Sequence, residues 1–302
     1  MQPASPSSLD HVLRDFTSTL TRSGSGSPAL DAELLLAAAL RLERNEVLKA
    51  RILTPSFSVD DGTLLRAREL LARRAAHEPM AYILGKKEFF GRDFFVTPAT
   101  LIPRPDTELL VEEALAFAGE SGVNGGAFAD LGTGSGAIAV TLALELPLWQ
   151  GVAIDVSPDA LRIAARNAAA LGAGGAAPLR FVHADFRETL SAHIPPASLQ
   201  LLVSNPPYIP EAEYRGLQKD VRLHEPKIAL VPGPKGTELA RCVIREAERS
   251  LAPGGLLLME MDRNQGETCR ALLTRELWED VTVHKDLAGH DRLIEAHKKP
   301  GV

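Results

Sequence analysis

Apolar positions along the chain change their period near residue 85. Before it they recur at helical spacing: Leu9, Val12, Leu13, Phe16 and Leu20, then Ala29 to Leu42 around Asp31-Ala-Glu-Leu-Leu-Leu, then Leu64, Leu65, Leu70 and Leu71. Ser23 to Pro28 separates the first predicted helix from the second, and Pro55 the third from the fourth. Helices this short do not persist alone in water, so the pattern predicts a small bundle over residues 1–81. Its stripes are core, and no residue in it suggests catalysis. Residues 82–104 carry aromatic and β-branched residues between glycines, which predicts a β-hairpin linker. Pro105 opens a predicted helix running to Ala118, with Asp106 and Glu108 at the positive end of its dipole.

From Ala127 onward strands and helices alternate. Predicted strands are Ala127 to Leu131, Val152 to Asp155, Leu179 to Ala184 and Leu199 to Val203. Leu256 to Glu260 follows a Pro253-Gly-Gly turn, and Val281 to His284 and Leu293 to Ala296 close the set. Gly136 to Leu146 is a predicted helix, and Ser157 caps another that Pro158 begins. The rhythm implies an α/β domain over 105–302, a mostly parallel sheet covered on both faces.

Composition narrows the function. The 302 residues are 45% hydrophobic and 24% charged, ordinary for a globular chain able to bury a core. A formal net charge of -6 argues against nucleic acid as a direct partner, because backbone affinity comes from neutralising phosphates. Cys242 and Cys269 form no framework and suit a reducing cytoplasm, the expected location. No apolar run approaches the ~18 residues of a spanning helix, so no membrane association is expected. Met1 to Leu9 lacks a secretion pattern and reads as a short disordered lead-in. The eight histidines show no ligand spacing, so no metal is expected.

Asp130-Leu-Gly-Thr-Gly-Ser-Gly-Ala joins a strand to a helix. Its glycines let backbone approach a ligand closely, and free amides at the helix start favour an anionic group. Gly132-x-Gly134-x-x-Ala137 also fits a dinucleotide fingerprint, so NAD and S-adenosylmethionine both remain open at this point. Asp155 offers two acceptors for a vicinal diol, or else caps the next helix. Asp185 can accept from an adenine amino group, and Phe186 can pack on the ring.

Asn205-Pro-Pro-Tyr follows the fourth strand. Two prolines stiffen the backbone and remove two donors, leaving carbonyl acceptors beside the asparagine side chain. That rim suits an NH2 group: the Asn205 oxygen takes one hydrogen and the Pro206 carbonyl the other. Tyr208 offers a flat face to a planar amide or base. An amide nitrogen is a weak nucleophile, so positioning, with acceptors facing the charge that grows on nitrogen, carries the catalysis.

These motifs resemble the HemK/PrmC family, whose members methylate the glutamine of the Gly-Gly-Gln motif in class I release factors. The resemblance spans nearly the whole chain. It includes Asp31-Ala-Glu-Leu-Leu-Leu, Glu78-Pro-Met-Ala-Tyr-Ile-Leu-Gly and Leu101-Ile-Pro-Arg-Pro-Asp-Thr-Glu-Leu-Leu-Val. Glu225-Pro-x-x-Ala-Leu and Lys285-Asp-Leu-Ala-Gly-His-Asp-Arg extend it. It implies a seven-stranded Rossmann-like methyltransferase fold with its last strand antiparallel. The N-terminal helical bundle and β-hairpin linker precede it, and the bundle docks the protein substrate. It implies S-adenosylmethionine held by Gly132, Thr133, Gly134, Ser135, Gly136, Asp155, Phe186 and Asn205, with S-adenosylhomocysteine as product. Glutamine falls to Asn205, Pro206, Pro207 and Tyr208, and Arg104 and Glu108 lie near the site. One departure is Asp262, where the family usually has glycine, which puts the local backbone in question. The rival readings are a glutamine methyltransferase of a large-subunit ribosomal protein and, further off, a nucleic-acid adenine N6-methyltransferase.

Overall fold

A computed structural model describes residues 7–54, 56–120 and 125–301. The expectations for Pro55 and for positions 1–6 of the lead-in lie outside the described residues. The described chain divides into two compact units, residues 1–85 with 218–224, and residues 86–217 with 225–302.

The first unit contains β1 (Ser7–Ser8), α1 (Leu9–Ser23), α2 (Pro28–Leu40), α3 (Arg44–Leu53), β2 (Ser58–Val59), α4 (Asp61–Ala75) and α5 (Met80–Leu84). Ser7 to Leu9, expected to be disordered, belong to β1 and the start of α1. Ser8 caps that helix by accepting from His11 N. Gly24 closes α1 in the left-handed region, φ 85°. The apolar positions read from the sequence form the core, with Phe16, Leu20, Leu35, Leu36 and Val47 fully buried. Tyr82 to Leu84, expected at the start of the hairpin, are instead helical. The Pro79 carbonyl accepts from the N–H groups of Tyr82 and Ile83, and Gly85, φ 72°, ends the turn. Capping and burial of Tyr82 and Ile83 outweigh strand propensity there.

The second unit begins with the hairpin of β3 (Lys86–Phe89) and β4 (Arg92–Phe95). A 3₁₀ turn, Pro105–Thr107, leads into α6 (Glu108–Glu120). Then follow β5 (Ala127–Leu131), α7 (Ala137–Glu145), β6 (Gln150–Asp155), α8 (Pro158–Leu171), β7 (Leu179–His183) and β8 (Leu199–Ser204). After α9 (Lys219–His224), which belongs to the first unit, come α10 (Glu238–Ser250), β9 (Leu251–Glu260), α11 (Gly266–Leu272), β10 (Trp278–Lys285) and β11 (Asp291–Lys298). Pro253-Gly-Gly, read as a turn before a strand, lies within β9, where the register with β8 shifts and Gly254 takes φ 77°.

The seven strands run in the order β10-β11-β9-β8-β5-β6-β7. Pairs among β5 to β9 are parallel, and β11 runs antiparallel to both neighbours, as expected. Alternate residues feed opposite faces. Ala129, Leu131, Leu202, Leu257 and Met259 pack toward α10 and α11. Phe128, Leu201, Val203, Leu256 and Leu258 pack toward α6 and α7. This is the predicted α/β fold.

Because β6 and β8 flank β5, strand order reverses at β5, and the carboxyl ends of the strands open a crevice there. Asp155 ends β6, and the glycine loop, Asp185 and Asn205 follow the carboxyl ends of β5, β7 and β8.

Candidate active site

The glycine loop is held from below. Gly132 and Thr133 both donate from their backbone N–H to the Ile154 carbonyl at 2.9 Å, which folds the loop over the end of β6. Gly132, Gly134 and Gly136 have φ of 79°, 56° and 80°, a region where a side chain is strained. Gly136 also needs its missing Cβ for packing, since one would lie 3.0 Å from the Ala164 Cβ. Thr133 and Ser135 are buried. The Thr133 hydroxyl donates to Asp130 at 2.7 Å, and the Ser135 carbonyl accepts from Asn167 at 2.8 Å. Burial pushes the Asp130 carboxyl up to about 7; nearby Asp155 adds to the shift and the Thr133 hydroxyl opposes it.

Asp155 Oδ2 accepts from Gly134 N and Oδ1 from Ser157 N, each at 2.8 Å. Burial raises its pKa, and these amides oppose the shift. Ser157 caps α8 as expected, by accepting from Ala160 N. Asp185 is paired with Arg187, which holds its carboxyl below the usual range.

A cleft of about 860 Å³, counting its open mouth, is lined by Gly132, Gly134, Asp155, Asp185, Phe186, Asn205 and Pro207. Thr133, Ser135, Gly136, Pro206 and Tyr208 are not among its lining residues. Ala99 to Leu101 and Pro226, Ile228 and Ala229 line the cleft as well. Buried Glu225 joins those segments by accepting from Ile102 N at 3.1 Å and from Arg104 Nη2 at 2.5 Å. Arg104 therefore braces the cleft wall. Glu108 turns elsewhere and accepts from Phe90 N in the β3–β4 turn, at 3.0 Å.

The Asn205 to Tyr208 segment is fixed by residues that sequence reading did not single out for the site. Asn205 Nδ2 donates to Thr107 Oγ1 at 3.1 Å, and Thr107 donates to Glu260 Oε2 at 2.6 Å. The Tyr208 hydroxyl donates to Glu260 Oε1 at 3.3 Å. Burial raises the Tyr208 phenol, and the Glu260 charge adds to it. Glu260 is itself pushed up to about 7 by burial, against the stabilising effects of Thr107, Arg292 and Tyr208. The Gln265 side chain donates to the Tyr208 carbonyl at 3.0 Å and the Gly236 carbonyl at 3.2 Å. A Cβ on Gly236, φ 80°, would lie 2.5 Å from the Tyr208 carbonyl oxygen.

Asp262 is not among the described non-glycine residues with positive φ. Its carboxylate accepts from Asn264 N at 2.9 Å, so aspartate forms a local turn here. The signal for Glu260 was available: an acid ends the apolar run Leu256-Leu-Leu-Met, at a strand terminus beside the crevice.

Elsewhere in this unit Glu113, His284 and Glu295 converge within 4.8 Å, a grouping that histidine spacing does not reveal. The two ring nitrogens of His284 face different carboxylates, Glu113 Oε1 at 3.3 Å and Glu295 Oε2 at 2.7 Å. Among the described residues no helix is long and apolar enough to cross a membrane.

Family models match two stretches: a PrmC N-terminal domain over residues 11–85 and a methyltransferase small domain over residues 106–221. The chain is 48% identical to a release factor glutamine methyltransferase of Nitratidesulfovibrio vulgaris, over 99% of this chain and 98% of the relative. It is 41% identical to the like-named protein of Vibrio cholerae, over 94% and 95% of the two chains. Among solved structures, the hMettl16 catalytic domain in complex with the MAT2A 3'UTR hairpin 6 superposes with a TM-score of 0.54. At 14% identity, covering 80% of this chain and 82% of that one, it shares the fold.

Proposed function

This chain belongs to the release factor glutamine methyltransferase family, an S-adenosylmethionine-dependent group of enzymes, and from that premise we propose its acceptor. The acceptor is the side-chain amide nitrogen of the glutamine in the Gly-Gly-Gln motif of class I release factors. The observation that carries the reading is the shared cleft: Asn205 and Pro207 line the same cavity as Asp155 and the glycine loop.

The residues present fit the donor. Gly132 and Gly134 leave backbone open where a side chain would intrude, and Asp155 keeps further lone pairs beside its two amide contacts. Gly132, Gly134, Asp155, Asp185 and Phe186 would hold it. When bound, S-adenosylmethionine supplies an electrophilic methyl group and leaves as S-adenosylhomocysteine. Asn205 Oδ1 and the Pro206 carbonyl orient the glutamine NH2 by accepting its two hydrogens. The same acceptors stabilise positive charge developing on that nitrogen. Tyr208, tethered through its hydroxyl, holds the planar amide in place.

We assign residues 1–81 to docking of the protein substrate. Ile52 and Leu53 support this, since they expose 74% and 76% of their surface on the first unit.

The test is methyl transfer from labelled donor to purified, unmethylated release factor, beside a Gln→Ala control in its Gly-Gly-Gln motif. Label lost in the control supports the reading. Label confined to a large-subunit ribosomal protein would move the acceptor, and label on duplex DNA would overturn the account of the cleft.

A further inference from the structure

A threonine hydroxyl carries one proton. Thr107 gives that proton to Glu260 at 2.6 Å, so toward Asn205 its oxygen can only accept. The end of the Asn205 amide facing Thr107 is therefore Nδ2, and Oδ1 lies on the other branch. An asparagine amide is nearly symmetric in shape but opposite in polarity at its two ends. Flipped, it would set N–H against the N–H of an incoming amide, and nothing about its packing alone forbids that.

We propose that Thr107 and Glu260 are positioning residues that fix the polarity of Asn205, so that Oδ1 and not Nδ2 meets the substrate NH2 group. The inference rests on the reading of Asn205 as acceptor for that group. Glu260 suits the role by geometry: it is buried at the end of β9 with Thr107 on one oxygen and Tyr208 on the other. One carboxylate thus sets both the asparagine and the aromatic wall. Ionised, it is an acceptor only, and the chain of donors runs one way, from Asn205 through Thr107 to Glu260. A proton on Oε2 would reverse it. Glu260 would then donate to Thr107, Thr107 would turn its proton to Asn205, and the amide would present Nδ2 to the substrate.

The groups facing Glu260 come from three directions. Asp106 and Thr107 belong to the 3₁₀ turn, Tyr208 follows β8, and Arg292 lies on β11. Arg292 is shared with Asp106 at 3.3 Å and Asp286 at 3.0 Å, so its charge is already partly balanced. Burial raises the Glu260 pKa to about 7, which brings the reversal within reach of ordinary buffers.

The experiment uses the full chain and compares wild type with Thr107→Val, Thr107→Ser, Glu260→Gln and Asn205→Ala. Steady-state transfer to release factor, donor Kd by calorimetry and thermal melting are measured on each. Thr107→Val keeps the shape without the hydroxyl. It is expected to lower kcat roughly 10- to 100-fold, the scale of a misplaced reacting group, at nearly unchanged donor Kd. Thr107→Ser restores most of it. Wild-type kcat falls as Glu260 takes up its proton at low pH, and Glu260→Gln lacks that acid limb. A Thr107→Val kcat within about twofold of wild type, or equal losses in the Val and Ser variants, overturns the proposal while Asn205→Ala still abolishes transfer. An unchanged acid limb in Glu260→Gln removes Glu260 from it, even if Thr107→Val proves unstable. Wild type that leaves the glutamine unlabelled would instead fail the proposed acceptor, a separate result.

Discussion

Glu225 accepts from the backbone of Ile102 at 3.1 Å and from Arg104 Nη2 at 2.5 Å, joining residues more than a hundred positions apart. Two motifs that looked independent in sequence, Leu101-Ile-Pro-Arg and Glu225-Pro-x-x-Ala-Leu, thereby become one wall of the cleft. Removing the carboxylate strands a backbone donor and a guanidinium. Hydrogen bonds to charged groups contribute roughly 1.5–3 kcal/mol each. Glu225→Ala is expected to weaken donor binding about tenfold and to lower Tm by several degrees. Calorimetry with S-adenosylmethionine checks it, and an unchanged Kd would mean the wall does not need this brace.

Asn205→Ala removes the side-chain acceptor and leaves the glycine loop intact. Transfer is expected to be lost while donor affinity changes only modestly. Activity within about tenfold of wild type would break the role given to Asn205, since correct placement of a reacting group is worth at least that much.

Gly236→Ala places a methyl 2.5 Å from the Tyr208 carbonyl at a φ of 80°. The positive φ alone costs about 1–2 kcal/mol for a residue with a Cβ. The carbonyl must also yield, and Gln265 bridges the same two carbonyls. The expected outcome is a larger loss in kcat than in donor affinity. A change confined to Tm would show that the Tyr208 backbone shift does not reach the reacting atoms.

Ile52→Asp combined with Leu53→Asp is expected to raise KM for the release factor and leave donor Kd unchanged. Both side chains are mostly exposed, so folding should tolerate them. Unchanged KM would remove this face of α3 from the docking role.

Asp130 and Glu260 predict how stability responds to pH. Their ordinary values are 3.8 and 4.5, and burial raises both to about 7 in the folded chain. Between those limits the folded state binds more protons than the unfolded state, so stability is greatest below the unfolded values and falls as pH rises through the folded ones. Asp130→Asn is expected to flatten the decline in Tm between about pH 5 and 7.5. An identical slope in wild type and variant would contradict a raised Asp130.

The sheet and the cleft floor were legible because their signals are local. Short apolar runs alternating with helical stretches marked the strands, and glycines at a strand–helix junction marked the loop that carries Gly132 and Gly134. Asn205 was legible because two prolines after an asparagine restrict what the backbone can do. Thr107 was not, and Glu260 showed only as an acid ending an apolar run, because their meaning lies in a contact across 153 residues. Glu225 stood in a visible motif, but only the fold reveals what it binds. Tyr82 to Leu84 misled through composition: aromatic and β-branched residues favour strands until a capped turn and a buried face decide otherwise. The β1–β2 ladder, two residues a side, is too short for periodicity to register.

β11 lies between β9 and β10, so every pairing of β10 is made through a strand that follows it in the chain. A nascent chain therefore cannot complete this sheet in order of synthesis. When β10 emerges its only neighbour does not yet exist, and the open edge of β9 must wait. β11 also carries Arg292, one of the charges around Glu260. Closure of the sheet and electrostatic completion of the site thus become the same late event, and a chain paused before β11 is produced would carry its glycine loop and Asn205-Pro-Pro-Tyr segment without a finished catalyst.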